Sequence, residues 1–166
     1  MDKLTGLPDH GEAELWLEER LVGSDSLAVA LVDVDGFKQI NERFLHLGGN
    51  ELLKALAELL REMTSGSDLV ARFGGDEFLL AWPGGDATGA VHRMETLRRC
   101  LREQGIGPKQ LTITVSAGVA ERAAVHEIPG VAYSMPLLRA ADEALYAAKR
   151  AGRDCVRVYR PTDGLP

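Results

Sequence analysis

The sequence predicts a single α+β domain, an α/β sandwich in which helices surround a mixed, mainly antiparallel sheet of about five strands. The chain has 166 residues, about the length of one domain. Short apolar runs alternate with segments of helical periodicity, and one Gly-rich turn joins two apolar runs as an antiparallel hairpin. We expect the domain to occupy residues 1–160, followed by a tail over residues 161–166.

The first elements are a helix, a strand and a short helix. Leucines spaced among glutamates indicate an amphipathic helix over residues 9–22, which a run of Gly, Ser and Asp ends. The apolar run 27–32 indicates a buried strand that leads into the acidic turn Asp33-Val34-Asp35-Gly36. A short helix is expected from Phe37 to Phe44.

A stronger helix and the hairpin follow. Leucines at helical spacing between Leu52 and Leu60 predict the helix, and Asn50 is a candidate for its N-cap. Strands are expected over residues 68–73 and 78–82, with the turn Gly74-Gly75-Asp76-Glu77 between them.

The last part of the chain is predicted to contain two helices and two strands. An Arg-rich helix is expected over residues 86–104, and a partly alternating strand over residues 111–120. After a loop, a helix over residues 136–150 has Gly152 just past its end. The run 156–159 is predicted to be a closing strand.

Composition and charge exclude several classes of protein. Hydrophobic residues make up 45% and charged residues 27% of the chain, which is a globular and not a disordered composition. The sequence has no apolar stretch of membrane-spanning length and no hydrophobic signal core, so we expect no membrane contact. Cys100 and Cys155 share no motif, which fits the reducing cytoplasm. The net charge of −6 argues against a nucleic acid polymer as partner, but allows a small phosphorylated ligand.

The turn Gly74-Gly75-Asp76-Glu77 is the most informative segment. Glycines let a backbone approach a ligand closely, and here two carboxylates follow them at the hairpin tip. A plain turn with solvated acids is the alternative interpretation. The acidic turn after the first strand, with Asp33 and Asp35, makes this alternative less favoured. An acid at the end of a buried strand is costly unless it is paired or binds a metal.

Two acidic turns from neighbouring strands predict a cation site. Hard cations such as Mg²⁺ bind carboxylate oxygens and substrate phosphates together. For Asp33 and Asp35, a helix N-cap beside a solvated acid remains the alternative. Lys149 and Arg153, one turn apart at a predicted helix end, can reach phosphates. A solvated basic helix end that complements the helix dipole is the alternative for these two.

Arg-Phe-Gly-Gly-Asp-Glu-Phe at residues 72–78 resembles the motif that gives the GGDEF family of diguanylate cyclases its name. Four other segments are similar to motifs of that family, in the same order, so the resemblance covers about residues 2–160. They are Asp2 to Pro8, Asp33 to Lys38 with Asn41, Val115 to Val119, and Ala141 to Lys149 with Gly152 and Arg153.

The resemblance implies a fold like the palm of nucleotidyl cyclases and polymerases. It also implies an activity, the condensation of two GTP into cyclic di-GMP with loss of two pyrophosphates, assisted by Mg²⁺ or Mn²⁺. Each protomer of a homodimer brings one GTP to a shared site. Because the chain begins almost at the first motif, we expect a sensor domain before it in a longer protein, and only a weak homodimer without that domain.

Roles follow from the resemblance by position. Asp33 and Asp76 match the carboxylates that hold the metal, with the carbonyl of Val34 nearby. Glu77 matches a second acid, linked in the family to activation of the 3′-hydroxyl. Asp33, Asp76 and Glu77 are therefore the expected catalytic residues. The matching substrate contacts are Gly74 and Gly75 near the α-phosphate, Lys38, Lys149 and Arg153 on phosphates, and Asn41 on guanine.

Several positions depart from the family pattern, among them Glu42 and Leu45, which stand where the family usually has Asp and Gly. Asn50 stands where the family has a guanine-binding Asp, and Asp154 where it has an Asn. Ser65 replaces the Arg of the inhibitory product site, Arg-x-x-Asp, of which Asp68 is retained. We therefore expect that site to be lacking.

The departures leave alternatives open. One is a degenerate module that binds GTP or cyclic di-GMP for regulation without catalysis. Another is a cyclase with relaxed base preference because of Asn50. A third interpretation makes Asn50 only a helix cap.

Overall fold

The computed structural model describes residues 1–161, with the side chains of residues 45–47 excepted. The predicted tail over residues 161–166 lies outside the described residues apart from Pro161, and its separation from the domain stays a prediction. The helices are α1 (His10–Leu21), α2 (Phe37–Arg43), α3 (Leu45–Glu62), α4 (Ala87–Gln104) and α5 (Ser134–Arg150). The strands are β1 (Leu27–Val34), β2 (Leu69–Arg72), β3 (Glu77–Pro83), β4 (Val115–Glu121) and β5 (Val156–Val158).

The strands form one sheet in the order β2-β3-β1-β4-β5. Only β4 and β5 run parallel; the other three pairs are antiparallel. Strand β1 lies at the centre, and all eight of its residues are buried. The predicted mixed, mainly antiparallel five-stranded sheet is confirmed.

Helices cover both faces of the sheet. Side chains of β1 alternate between them, so Ala28, Ala30 and Val32 pack with α3 and α4, while Val29 and Leu31 pack with α1 and α5. Asp33 continues the second series and therefore faces the layer that contains α5.

Gly118 of β4 brings α5 close to the sheet. A Cβ at this position would lie 2.2 Å from the carbonyl oxygen of Ala141 and 2.2 Å from the amide nitrogen of Leu145, so only glycine allows the contact. The close packing fixes the height of α5 above the sheet, and with it the position of Lys149 near the end of that helix.

The prediction that Asn50 caps a helix is wrong. Helix α3 begins at Leu45, and Asn50 lies inside it. The two glycines before Asn50 are helical residues that permit close packing. A Cβ at Gly49 would lie 2.2 Å from Oδ1 of Asn41, and one at Gly48 would lie 2.4 Å from Cβ of Phe44. The glycines thus let the start of α3 pack against α2 instead of breaking the chain.

The end of β1 and the start of β4 differ most from the predicted strand boundaries. Strand β1 extends through Val34, because β4 pairs with it as far as Val34 and Val115. Strand β4 begins only at Val115, since Leu111 exchanges two backbone hydrogen bonds of 2.9 Å with Ile106 and closes a separate turn.

Candidate active site

Asp33 is the residue on which the site is built. It lies one residue before the end of β1, opposite Glu77 of β3 and Ser116 of β4 in the ladder, and it is 8% exposed. Lys149 of α5 donates a hydrogen bond to its Oδ2. The predicted acid in a core position is therefore present, and it is paired.

Burial and a second acid both act on Asp33. Burial and the negative charge of Asp76 together raise the pKa of its carboxyl to about 6, against the hydrogen bond from Lys149, which lowers it. Burial lowers the pKa of the Lys149 ammonium, but Asp33, Glu77 and Asp76 outweigh it, so the pKa lies above its usual value. Three acids, Asp33, Glu77 and Asp76, thus act on the one ammonium of Lys149, and a further cation close to these acids is favoured.

The hairpin tip lies against the end of β1. The amide of Val34 donates to the carbonyl oxygen of Asp76 over 3.3 Å. Gly74 and Gly75 form the turn without positive φ, and a Cβ at Gly75 would meet no atom within 4 Å. The tip therefore joins the acidic end of β1 and leaves open space above Gly75.

Glu77 begins β3 and is half-buried. Burial, together with the charges of Asp33, Asp142 and Asp76, raises the pKa of its carboxyl to about 7, and the charge of Lys149 opposes the rise. A carboxylate with a pKa near neutrality can accept a proton at physiological pH.

An open cleft of about 500 Å³ lies at this end of β1, and its lining includes neither Glu77 nor the two glycines of the turn. It contains six of the predicted site residues, and Asp35, Gly36, Phe37 and Gln39 complete its lining; the six are Asp33, Val34, Lys38, Asp76, Lys149 and Arg153. Basic groups from α2, α5 and the loop after α5 thus share one cleft with the carboxylates of β1 and the hairpin.

Asp35 holds the structure around the cleft. Its carboxylate accepts hydrogen bonds from Thr114 Oγ1 over 2.7 Å, Ser116 Oγ over 2.6 Å and the amide of Asp154 over 3.0 Å. The alternative of a helix N-cap is not supported, since Gly36 occupies the N-cap of α2 without a side-chain cap. Asp35 links the end of β1 to β4 and to the loop that contains Arg153.

Arg72 holds the hairpin turn, a role for which no signal exists in local sequence. Its Nη1 donates to both carboxylate oxygens of Asp2 over 3.2 and 3.1 Å, and its Nη2 donates to the carbonyl oxygen of Gly75 over 2.7 Å. Asp2 also accepts from Thr5, whose carbonyl accepts from Arg61 of α3. Arg72 and Asp2 both lie in motifs that the sequence analysis identified, but 70 residues separate them in the chain.

His10 of α1 also contacts the turn. Its ring stacks on Phe73 with 3.9 Å between centroids, and its Nδ1 lies 3.1 Å from the carbonyl oxygen of Phe73. Together with Arg72, this contact connects the first helix and the N-terminal motif to the Gly-rich turn.

The remaining predicted residues lie apart from the cleft lining. Asn41 is in α2 and packs against Gly49 of α3. Asn50 directly follows Gly49 in α3, and its side chain is exposed. At the other end of α3, the carboxylate of Asp68 accepts from the amide and hydroxyl of Ser65 over 2.8 and 3.0 Å. Asp68 is thus engaged within its own turn.

The donor atoms fit a divalent cation shared with a ligand. Among the described residues, no cluster of three or more Asp, Glu, His or Cys side chains is arranged to hold a metal ion alone. Asp33, Asp76 and the Val34 carbonyl offer only oxygen, which suits Mg²⁺ or Mn²⁺. An ion with so few protein ligands needs further oxygens from water or phosphate.

The family model "Diguanylate cyclase, GGDEF domain" matches residues 1–155. The chain therefore belongs to the GGDEF family of diguanylate cyclases. It is 37% identical over 164 residues to the diguanylate cyclase DgcP of Pseudomonas aeruginosa, a match that covers 95% of this chain and 23% of that protein. It is 32% identical over 163 residues to the response regulator PleD of Caulobacter vibrioides, covering 93% of this chain and 35% of PleD. The chain thus spans about a quarter to a third of these relatives.

Solved structures agree with this assignment. The GGDEF domain of TpbB, also called YfiN, from Pseudomonas aeruginosa has a TM-score of 0.85 and 30% identity, covering 96% of this chain and 94% of that one. The GGDEF domain of DgcB from Caulobacter crescentus, in complex with cyclic di-GMP, has a TM-score of 0.82 and 27% identity, covering 96% and 95%. In the described part of this chain, the helices are all too short or too polar to cross a membrane.

Proposed function

We propose that this domain condenses two molecules of GTP into cyclic di-GMP and releases two pyrophosphates. The observation that carries the proposal is one cleft lined by Asp33, Asp76, Lys149 and Arg153 at the end of the central strand, with Glu77 paired to Asp33 in the sheet. Metal-assisted phosphoryl transfer requires carboxylates that hold the metal ion and, close to them, basic side chains that bind phosphate.

The carboxylates would hold the cation and move the proton. Asp33, Asp76 and the Val34 carbonyl would bind a divalent ion, Mg²⁺ or Mn²⁺. The ion would neutralise charge that develops on the phosphates. Glu77, with a pKa of about 7, would accept the proton of the attacking 3′-hydroxyl.

The basic groups would orient the triphosphate. Lys149, Arg153 and Lys38 lie along the cleft and would contact phosphate oxygens, since ammonium and guanidinium groups donate several charge-assisted hydrogen bonds. The open space above Gly75 leaves room for the α-phosphate close to the backbone of Gly74 and Gly75. The α-phosphate would then lie near Asp76 and Glu77, as the attack requires.

Base recognition is assigned to Asn41 and Asn50. Asn41 packs on the helix that contains Asn50, so the two amides lie on adjoining elements. An amide in place of the family's Asp can accept from one donor of the guanine edge without charge assistance. We therefore propose that this cyclase recognises guanine less selectively than it would with an Asp at position 50.

The product joins two nucleotides, but the described residues form one set of site residues. We propose that two copies meet about a two-fold axis so that each GTP attacks the other. The pairing would be weak for the domain alone and would be controlled by a sensor domain in a longer protein. We place the reaction in the cytoplasm, where GTP is available and free thiols such as Cys100 and Cys155 stay reduced.

A regulatory module that binds cyclic di-GMP without catalysis is the second candidate, because the domain of DgcB has a structure in complex with cyclic di-GMP. The retained acids favour the cyclase. Ser65 and the engaged Asp68 disfavour an inhibitory product site at the turn before β2.

The test compares Asp76→Ala with the wild type in the presence of GTP and Mg²⁺. We expect Asp76→Ala to lose nearly all formation of cyclic di-GMP and to remain folded by circular dichroism. Glu143→Gln, an exposed acid on α5, is the matched control and should retain wild-type activity. Normal turnover by Asp76→Ala would overturn the assignment of the metal-binding acids.

A further inference from the structure

The loop after α5 has an unusual backbone. Gly152, Arg153 and Asp154 have consecutive positive φ values of 112°, 65° and 48°. Arg153 and Asp154 have side chains, so this conformation is unfavourable for both, and it persists only where the surroundings impose it. Strained backbone of this kind is concentrated at ligand sites.

Arg98 of α4 is one of the groups that impose it. Its guanidinium donates to the carbonyl oxygen of Asp154, and Nη2 and Nε lie 3.0 and 3.3 Å from Oδ1 of the same residue. The Arg98 side chain is only 13% exposed, and Glu95 pairs with its other end. A planar guanidinium that binds both the backbone and the side chain of one residue fixes its orientation.

The acidic end of β1 holds the loop from the other side. The amide of Asp154 donates to Oδ2 of Asp35 over 3.0 Å, and the amide of Arg153 donates to the carbonyl oxygen of Ala148 over 3.1 Å. Asp154 is thus fixed between α4 and β1, and Arg153 directly precedes it. Arg153 lines the cleft, whereas Arg98 does not.

We propose that Arg98 is a positioning residue for phosphate binding: through Asp154 it holds Arg153 toward the triphosphate of the nucleotide. This inference rests on the proposed function, because it assumes that Arg153 binds phosphate. Arg98 touches no substrate itself. Without it the loop relaxes toward negative φ, and the Arg153 guanidinium leaves the cleft.

The experiment measures the dissociation constants of a non-hydrolysable GTP analogue and of GMP by calorimetry. Arg98→Gln should weaken binding of the analogue about tenfold, the effect of losing one charge-assisted contact, and leave binding of GMP nearly unchanged. Arg99→Ala, an exposed arginine on the same helix, is the control and should bind both ligands as the wild type does.

A double-mutant cycle separates positioning from general stability. In an Arg153→Ala background, Arg98→Gln should cause no further loss of affinity for the analogue. An equal loss in both backgrounds, or a parallel loss for GMP, would overturn the inference. Asp154→Asn serves as the second variant if Arg98→Gln does not fold. This substitution keeps the backbone carbonyl that accepts from Arg98, and Asn tolerates positive φ. It should weaken binding of the analogue, but by less than Arg98→Gln does.

The same measurements distinguish the inference from the proposed function. If the wild type makes cyclic di-GMP and Arg98→Gln binds the analogue normally, the positioning role is wrong while the cyclase assignment stands. If the wild type binds the analogue in an Arg98-dependent way but makes no cyclic di-GMP, the cyclase assignment is wrong and the positioning role stands.

Discussion

The ammonium of Lys149 binds the carboxylate of Asp33 and so connects the end of α5 to the end of β1. Their side chains are 35% and 11% exposed. Each group has a second proposed role, Asp33 toward a divalent cation and Lys149 toward phosphate. The lysine and a cation therefore compete for the same carboxylate oxygen.

The competition predicts opposite effects of one substitution. In Lys149→Met, a divalent cation should bind severalfold more tightly in the absence of nucleotide, because a neighbouring positive charge is removed. Turnover of GTP should fall at least tenfold, since the phosphate contact is lost. Electron paramagnetic resonance of free Mn²⁺ measures the first effect. Arg150→Met is the control on the next residue, and unchanged Mn²⁺ affinity in Lys149→Met would contradict the competition.

The raised pKa values predict how stability depends on pH. Glu77 keeps its proton in the folded protein up to about pH 7, but loses it near its ordinary pKa of 4.5 in the unfolded chain. Between these values the folded state binds more protons, so the free energy of unfolding falls as the pH rises. Asp33 contributes in the same direction up to about pH 6.

Glu77→Gln removes the larger of these two titrations. Without divalent cations, its melting temperature should fall less between pH 5 and pH 8 than that of the wild type. Differential scanning calorimetry at both pH values measures this. Glu143→Gln should behave as the wild type, and an identical pH dependence in Glu77→Gln would show that Glu77 ionises normally.

The position of Asn50 in the structure allows its role in base recognition to be tested without a change of helix cap. This residue lies inside α3 and does not cap it, so a change in base preference cannot be attributed to a lost cap. A carboxylate accepts both donors of the guanine edge with charge assistance. Asn50→Asp should therefore improve GTP turnover and raise the preference for GTP over ATP roughly ten- to thirtyfold. If kcat/KM for both nucleotides is unchanged or lower, Asn50 does not read the base.

Asp68 provides a separate prediction about the product. Its carboxylate accepts two hydrogen bonds from Ser65, and the arginine that would bind cyclic di-GMP is replaced by that serine. Asp68→Ala should leave inhibition by cyclic di-GMP unchanged and cost about 1 kcal/mol of stability through the lost turn contacts. Initial rates of the wild type and of Asp68→Ala with added cyclic di-GMP measure this inhibition. If Asp68→Ala relieves the inhibition, a product site exists at this turn.

Local sequence patterns predicted most of the fold. Each α-helix and strand was expected near its observed place, since apolar periodicity indicates which face of an element is buried. The errors arose where packing overrides local preference. Gly48 and Gly49 precede the predicted N-cap Asn50, but both are helical, and their lack of a Cβ leaves room for Phe44 and Asn41.

The site was predicted less completely than the fold. Sequence reasoning placed Asp33, Asp76, Lys149 and Arg153 together, and the structure brings them into one cleft. It did not find the supports of the site. The pair of Arg98 and Asp154 spans 56 residues, a distance over which spacing carries no information about contact.

The proposed shared site predicts that activity depends on protein concentration. Because each copy provides one nucleotide site, the rate per molecule should rise with concentration while the weak homodimer forms. Initial rates over a dilution series, with analytical ultracentrifugation of the same samples, measure this. A constant rate per molecule where only monomer is detected would exclude a shared site.

The central claim is the formation of cyclic di-GMP from GTP. The most direct measurement incubates the domain with GTP and Mg²⁺ at several protein concentrations and separates the nucleotides by chromatography, with pyrophosphate assayed in parallel. We predict cyclic di-GMP and pyrophosphate in a ratio of one to two, and no such product with Asp76→Ala. Bound GTP that is never converted, at concentrations where the homodimer is fully formed, would contradict the claim and identify a nucleotide-binding regulatory module.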